Sequence, residues 1–176
     1  SGSTGKPKGL TICHRNAINF SHSNPLNVIN KIIPDTDHSI LAISSTSFDM
    51  SVTETLLPLI AGITIYLADD EQVISQQKLS EFFQTGQIDI LETTPTKMRL
   101  YIADRNNLQY LDSIKAFVLG GESLPADLHR ELRTITNARI FNNYGPAETT
   151  VWSTIKEMTG DDITIGKPIA NTQVYI

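Results

Sequence analysis

From Ile63 to Gly145 the chain alternates strand-length apolar runs with amphipathic helical stretches. The runs are "ITIYLA" (Ile63 to Ala68), "IDILET" (Ile88 to Thr93), "IKAFVLGG" (Ile114 to Gly121) and "ARIFNNYG" (Ala138 to Gly145), and the helices between them are "QQKLSEFFQTG", "PTKMRLYIA" and "LPADLHRELRTI". Runs this rich in branched apolar residues cannot face water on either side. A parallel sheet covered by helices on both faces is the arrangement that buries them.

The punctuation supports that reading. Gly86 closes the first of these helices, Pro95 suits a first helical turn, and Ser123 is a candidate cap. Upstream, "GLTIC" is expected to be a short strand and Arg15 to about Ile29 a helix with Ala17, Ile18 and Phe20 on one face. "SILAIS" (Ser39 to Ser44) has strand length, and "SVTETLLPLIAG" has helical spacing that stops at Gly62. From about Val151 short alternations with turns at "MTGDD" and "IGKPIANT" predict antiparallel strands at the edge of a neighbouring subdomain. The fold class is α/β: a mainly parallel sheet flanked by helices on both faces, with short antiparallel strands near the C-terminus. A flavodoxin- or receiver-like domain would explain the βα alternation but gives the opening loop no role.

The chain has 176 residues, 40% of them hydrophobic, enough to bury the core of one domain. Its net charge of -5 argues against a nucleic-acid partner held by phosphate neutralisation, so any bound anion must be held locally. One cysteine, Cys13, excludes an internal disulfide framework and a multi-cysteine metal site, and suits a reducing compartment. With no apolar stretch of membrane-spanning length, the expectation is a cytoplasmic protein with no membrane partner. The chain opens inside a glycine-rich motif and stops in a strand-like run, "NTQVYI", which reads as part of a larger protein.

In open α/β sheets ligands bind beyond the carboxyl ends of the strands. Three clusters fall there: "STSFDMS", "LGGES" and "NNYGPAETT". Singly, each has a bland reading as a cap or turn. The opening "SGSTGKPKG" is not a Walker loop, but Gly2 and Gly5 free the backbone to aim N–H groups at one anion, Ser1, Ser3 and Thr4 add hydroxyls, and Lys8 adds charge. By composition alone a linker and a phosphate loop explain it equally well. Cys13 and His14, as strand neighbours, would point apart and are poorly placed for thiol chemistry. His22, His38 and His129 lack metal-ligand spacing and read as surface or capping residues.

"SGSTGKPKG", then "FDMS" with Asp49, then "NNYGPAETT" with Glu148, flanked by "PKGLTICHRN" and "IGKPIANTQVYI", resemble in order the phosphate-loop, substrate-aspartate and adenine-loop motifs of nonribosomal peptide synthetase adenylation domains. Those domains belong to the adenylate-forming superfamily, with the acyl-CoA synthetases and luciferases. The resemblance runs the whole length, 1-176, and identifies a partial adenylation domain from the large N-terminal subdomain, without the C-terminal lid.

That resemblance implies the following roles. An amino-acid carboxylate attacks the α-phosphorus of ATP, and the acyl group passes to phosphopantetheine on a carrier protein. Ser1, Gly2, Ser3, Thr4, Gly5 and Lys8 would hold the phosphates, with Thr4, Lys8 and Glu148 catalytic. Tyr144 would lie on adenine, with the Gly120, Gly121 and Glu122 backbone opposite, Asn142 near the exocyclic amine and Gly145 beside it. Glu148 would ligate Mg²⁺; Ala147 stands where a threonine often precedes it, which removes a hydroxyl contact to the α-phosphate. Asp49 would accept the substrate's ammonium. The lined-up pocket positions are Asp49, Met50, Thr53, Glu92, Val118, Gly120, Asn143, Val151 and Trp152, and they imply a polar side chain of modest size. Carrier and condensation domains are the implied partners. The ribose-holding aspartate, the hinge and a bridging lysine of the family lie beyond Ile176. An acyl- or aryl-CoA ligase on the same scaffold, and a non-catalytic α/β nucleotide-binding module, are the competing readings.

Overall fold

A computed structural model describes residues 9–22, 24–32, 38–84 and 87–175. The elements run α1 (His14–Ser21), α2 (Val28–Ile32), β1 (Ser39–Ala42), α3 (Ser51–Glu54), α4 (Leu56–Ala61), β2 (Thr64–Leu67), α5 (Asp70–Val73) and α6 (Gln76–Phe83). They continue β3 (Ile90–Thr93), α7 (Pro95–Tyr101), β4 (Ala116–Leu119), α8 (Ala126–Ile135), β5 (Arg139–Tyr144), β6 (Thr154–Glu157) and β7 (Lys167–Pro168).

The strands form one seven-stranded sheet in the order β2-β1-β3-β4-β5-β6-β7. Pairing is parallel from β2 through β5 and antiparallel from β5 to β7. The period-2 alternation of strand side chains divides the core in two. Ile40, Ile90, Ala116, Val118 and Phe141 face one way and pack with Phe20, Val28 and Leu57. Leu41, Leu91, Phe117, Leu119 and Ile140 face the other way and pack with Leu79, Met98, Leu128 and Leu132. The sheet is covered on both faces, as the apolar runs require.

The α/β class, the parallel strands and the left-handed stop at Gly62 (φ 72°) follow the sequence expectation. Several details differ. Residues 9–12 of "GLTIC" form no strand, and Leu10 and Ile12 are exposed; Cys13 and His14 instead open α1. The expected helix from Arg15 to Ile29 is split into α1 and α2, because Pro25 disfavours helical backbone at Asn24. "SVTETLLPLIAG" breaks at Thr55 (φ -124°, ψ -65°). An unbroken helix would set the Pro58 ring against the carbonyl of Glu54, and restarting at Leu56 moves Pro58 into a first turn. α5 was not expected; Asp69 and Gln72 cap it reciprocally at 2.8 Å each way. Pro125, not Ser123, occupies the cap position of α8. β6 and β7 extend this same sheet and do not edge a separate subdomain. His129 is buried within α8 and is not a surface residue. Gly86 lies outside the described residues. Among those described, no helix is long and apolar enough to cross a membrane.

Candidate functional site

The carboxyl ends of β4 and β5 open a cleft of about 450 Å³ whose lining includes Gly121, Glu122, Asn142, Tyr144, Gly145 and Ile163. Gly121 has φ +78°, and a side chain there would point at Met50 Sδ and Thr94 Cγ2, 3.5 and 3.6 Å from its Cβ. Those are ordinary van der Waals distances, so it is the left-handed backbone that favours glycine here. The Glu122 carboxylate turns away and accepts hydrogen bonds from Thr96 N (3.1 Å) and Thr96 Oγ1 (2.6 Å), tying the wall to the first turn of α7. Asn142 Nδ2 donates to Thr164 O at 2.9 Å, which leaves Oδ1 as the amide's acceptor toward the cleft. Tyr144 presents a half-exposed ring. A flat heterocycle with an exocyclic amine suits these groups: a backbone wall, an aromatic face and an amide acceptor. Gly120, expected in the same wall, does not line this cleft.

Gly120 serves the opposite face. Glu92 pairs with Val118 and Leu119 with Asn142, so Glu92, Val118, Gly120 and Asn143 share one side of the sheet. Trp152 lies across that side. Its Nε1 donates to Glu92 Oε1 at 2.8 Å, and its Cη2 sits 2.4 Å from where a Cβ on Gly120 would be. Met50, Val118, Val151 and Trp152 join one apolar cluster.

On the expected pocket positions four polar atoms are buried without a hydrogen-bond partner: Thr53 Oγ1, Glu92 Oε2, and Asn143 Nδ2 and Oδ1. Buried polar groups are ordinarily paired, so these atoms are open to a ligand's polar groups, although both ring nitrogens of His129 and Thr154 Oγ1 are likewise unpaired elsewhere. Burial first, then the charges of Glu54 and Asp49, pushes the Glu92 carboxyl well above the usual carboxylate range, against the pull of the Trp152 bond. Asp49 itself is half-buried in the loop between β1 and α3.

The chain from Gly145 to Ser153 connects the two faces. Ser153 N donates to Tyr144 O at 2.8 Å, so the chain doubles back tightly. A Cβ on Gly145 would stand 2.2 Å from Val151 O. Thr150 and Val151 take φ of 70° and 62°, a conformation costing about 1–3 kcal/mol per residue, found where structure dictates it. That turn swings Trp152 under the sheet and leaves Glu148 exposed on the 3-10 turn Ala147–Thr149, just past Pro146 on the cleft rim. Among the described residues no three His, Cys, Asp or Glu side chains gather as a metal site.

The family model described as "AMP-binding enzyme" matches residues 1–176. The chain belongs to that family. It is 35% identical over 179 residues to a dimodular nonribosomal peptide synthase of Bacillus subtilis (strain 168), covering 100% of this chain and 7% of that protein. It is likewise 35% identical over 182 residues to tyrocidine synthase 3 of Brevibacillus parabrevis, covering 100% of this chain and 3% of that protein. The crystal structure of holo-AB3403, a four-domain nonribosomal peptide synthetase bound to AMP and glycine, superposes with a TM-score of 0.84 at 30% identity, over 98% of this chain and 13% of that one. The chain therefore spans a small part of the relatives it matches, and its similarity is to their adenylation domains.

The structure brings Gly121, Glu122, Asn142, Tyr144 and Gly145 to one cleft. On the other side Met50, Val118, Val151 and Trp152 share one cluster, with Glu92 bonded to Trp152 and Gly120 packed against it; Asn143 also borders the first cleft, and Thr53 is buried on α3. Ser1, Gly2, Ser3, Thr4, Gly5 and Lys8 lie outside the described residues. One residue escaped the sequence reading: Glu54, fully buried, accepts from Ile43 N (3.0 Å), Ser44 N (2.8 Å) and Ser44 Oγ (2.8 Å). Its only local signal is a carboxylate inside the otherwise uncharged helical stretch after Asp49.

Proposed function

We propose that the parent of this chain activates an amino acid with ATP, forming aminoacyl-AMP and pyrophosphate, and loads it onto a phosphopantetheinyl carrier domain in nonribosomal peptide synthesis. The observation that carries the proposal is the division of labour across β4 and β5. One face opens a cleft whose lining suits adenine, and on the other Trp152 closes over Glu92 beside polar atoms left without partners.

In this reading Tyr144 and the Gly121–Glu122 backbone sandwich adenine, and Asn142 Oδ1 accepts from its amine. Asp49 accepts the substrate's α-ammonium, which separates amino acids from acids lacking the amine. The opening loop, from Ser1 through Lys8, holds the phosphates, with Thr4 and Lys8 meeting the charge that develops during transfer. Glu148 supplies one carboxylate to Mg²⁺, a hard cation that takes its remaining ligands from phosphate and water. When bound, that ion disperses phosphate charge. Condensation and carrier domains of the same synthetase are the expected partners.

The pocket suits a polar side chain of modest size. A cationic one best offsets the cost of burying Glu92, while Trp152 fills the volume a large ring would need. The 176-residue chain alone is proposed not to complete the reaction, since the family's ribose-holding aspartate and bridging lysine fall outside it. The test is ATP–pyrophosphate exchange by the parent across the common amino acids: exchange driven by one or a few polar amino acids supports the proposal, and ATP binding without amino-acid-dependent exchange contradicts it.

A further inference from the structure

Resting on that reading, we infer that Glu54 is a positioning residue: it clamps the loop that carries Asp49, and so governs recognition of the substrate's α-ammonium without touching it. The β1 strand ends at Ala42, and the next two backbone N–H groups, of Ile43 and Ser44, point into the Glu54 carboxylate at 3.0 and 2.8 Å; Ser44 Oγ adds a third bond at 2.8 Å. Glu54 ends α3 and Ser44 precedes the loop, so one side chain ties both ends of residues 44–54 together.

The loop's other hydrogen bonds are internal: Phe48 N donates to Ser45 O at 2.8 Å, and Ser51 N and Val52 N donate to Phe48 O and Asp49 O at 3.0 Å each. Ser45, Thr46, Ser47 and Phe48 are exposed, Phe48 by 57%. Beneath it lies a cleft of about 180 Å³, lined by Ser44, Ser45, Phe48, Met50, Thr94 and Lys97, where packed side chains would otherwise set its height. The internal bonds shape the loop, while the Glu54 carboxylate ties it to the end of β1. Asp49 sits at the far end of this one, one residue before Met50 in the pocket wall.

A carboxylate is the group the clamp needs. Oε2 accepts from both backbone N–H groups and Oε1 from the Ser44 hydroxyl, and these bonds are strongest when the group is ionised. A glutamine could keep its one oxygen on both backbone N–H groups, which share Oε2, and present its amide to the Ser44 hydroxyl as acceptor, so what it removes is the charge. An alternative in which Glu54 only stabilises the fold predicts equal losses for every substrate, whereas the clamp predicts a loss confined to the amine.

The experiment uses the parent synthetase and its preferred amino acid, compared with the matching carboxylic acid lacking the α-amine, in ATP–pyrophosphate exchange. Glu54→Gln is expected to raise KM for the amino acid about tenfold or more, to leave KM for ATP within about twofold, and to shrink the preference for the amine at least fivefold or so. Unchanged amino-acid KM, or a fall in kcat with the preference intact, overturns the inference. Ser44→Ala removes only the side-chain bond and carries the test if Glu54→Gln fails to fold. It is expected to raise the amino-acid KM about threefold with ATP unaffected, and no change there overturns the inference equally. Indifference of the unsubstituted parent to the α-amine would instead contradict the functional reading itself, and shows before any substitution is made.

Discussion

Trp152 Nε1 and Glu92 Oε1 lie 2.8 Å apart, across 60 positions of sequence, and this hydrogen bond closes the floor of the candidate amino-acid pocket. It satisfies one carboxylate oxygen and leaves Oε2 buried and alone. A donor from the substrate would complete the set. Replacing Glu92 by Gln in the parent is expected to lower kcat/KM for a cationic amino acid about tenfold or more while neutral polar amino acids lose less. A substrate screen of both forms reads this directly. Selectivity that does not move, or a wild-type preference for phenylalanine or tryptophan, contradicts the pocket assignment.

Gly120 is the second determinant of the same floor. A methyl group there meets Trp152 Cη2 at 2.4 Å and Cζ3 at 2.8 Å, and the indole is too tightly held to slide without breaking its bond to Glu92. Gly120→Ala is expected to cost about 1–3 kcal/mol through overpacking. Amino-acid KM should rise while nucleotide affinity persists, because Gly120 does not line the adenine cleft. Parallel titrations with ATP and amino acid would show it; equal loss of both would place Gly120 in the adenine wall instead.

Glu148 stands exposed at the rim, outside the pocket. Glu148→Gln is expected to reduce kcat by about 10²-fold or more with amino-acid KM little changed, since a lost metal ligand acts on the transition state. Steady-state exchange at saturating Mg²⁺ checks the split. Undiminished turnover there would remove Glu148 from its role.

Glu54 sets a pH dependence. Burial pushes its carboxyl up to about 7 from 4.5, against the pull of the Ser44 and Ile43 hydrogen bonds and of Lys97; Tyr101 and Glu92 also face it. A raised carboxyl makes the folded state bind more protons than the unfolded one between those values. Its contribution to stability is therefore complete below pH 4.5 and is lost as pH rises through about 7, roughly 3 kcal/mol in all. Glu92 shifts in the same direction. Urea unfolding of the parent between pH 5 and 8 should show stability of this domain declining with pH, and a shallower decline in Glu54→Gln. A flat profile in both forms would contradict the burial argument.

The strands were legible because "IDILET" and "IKAFVLGG" are crowded with branched apolar residues that only a doubly covered sheet accommodates. The motif positions were legible as a resemblance. Hydrophobic period missed the interruptions: Pro58 reads as one residue in an apolar helix until its clash with the Glu54 carbonyl is drawn. The continuity of β6 and β7 with the main sheet depends on the turn at Thr150 and Val151, whose left-handed backbone no glycine advertises. Glu54 and the Trp152–Glu92 pair were hidden for a different reason. Their partners are set by how strands and loops meet in space, and a buried carboxylate looks like any other glutamate until its donors are found.

The measurement that bears most directly on the division between the two faces is exchange by the parent synthetase with its best amino acid against the same acid without the α-amine, repeated in Asp49→Asn. The expected result is strong preference for the amine in the unsubstituted protein, at least about a hundredfold, and its collapse in the variant with KM for ATP unchanged. Equal exchange with both acids, or a preference that survives the loss of Asp49's charge, would contradict it.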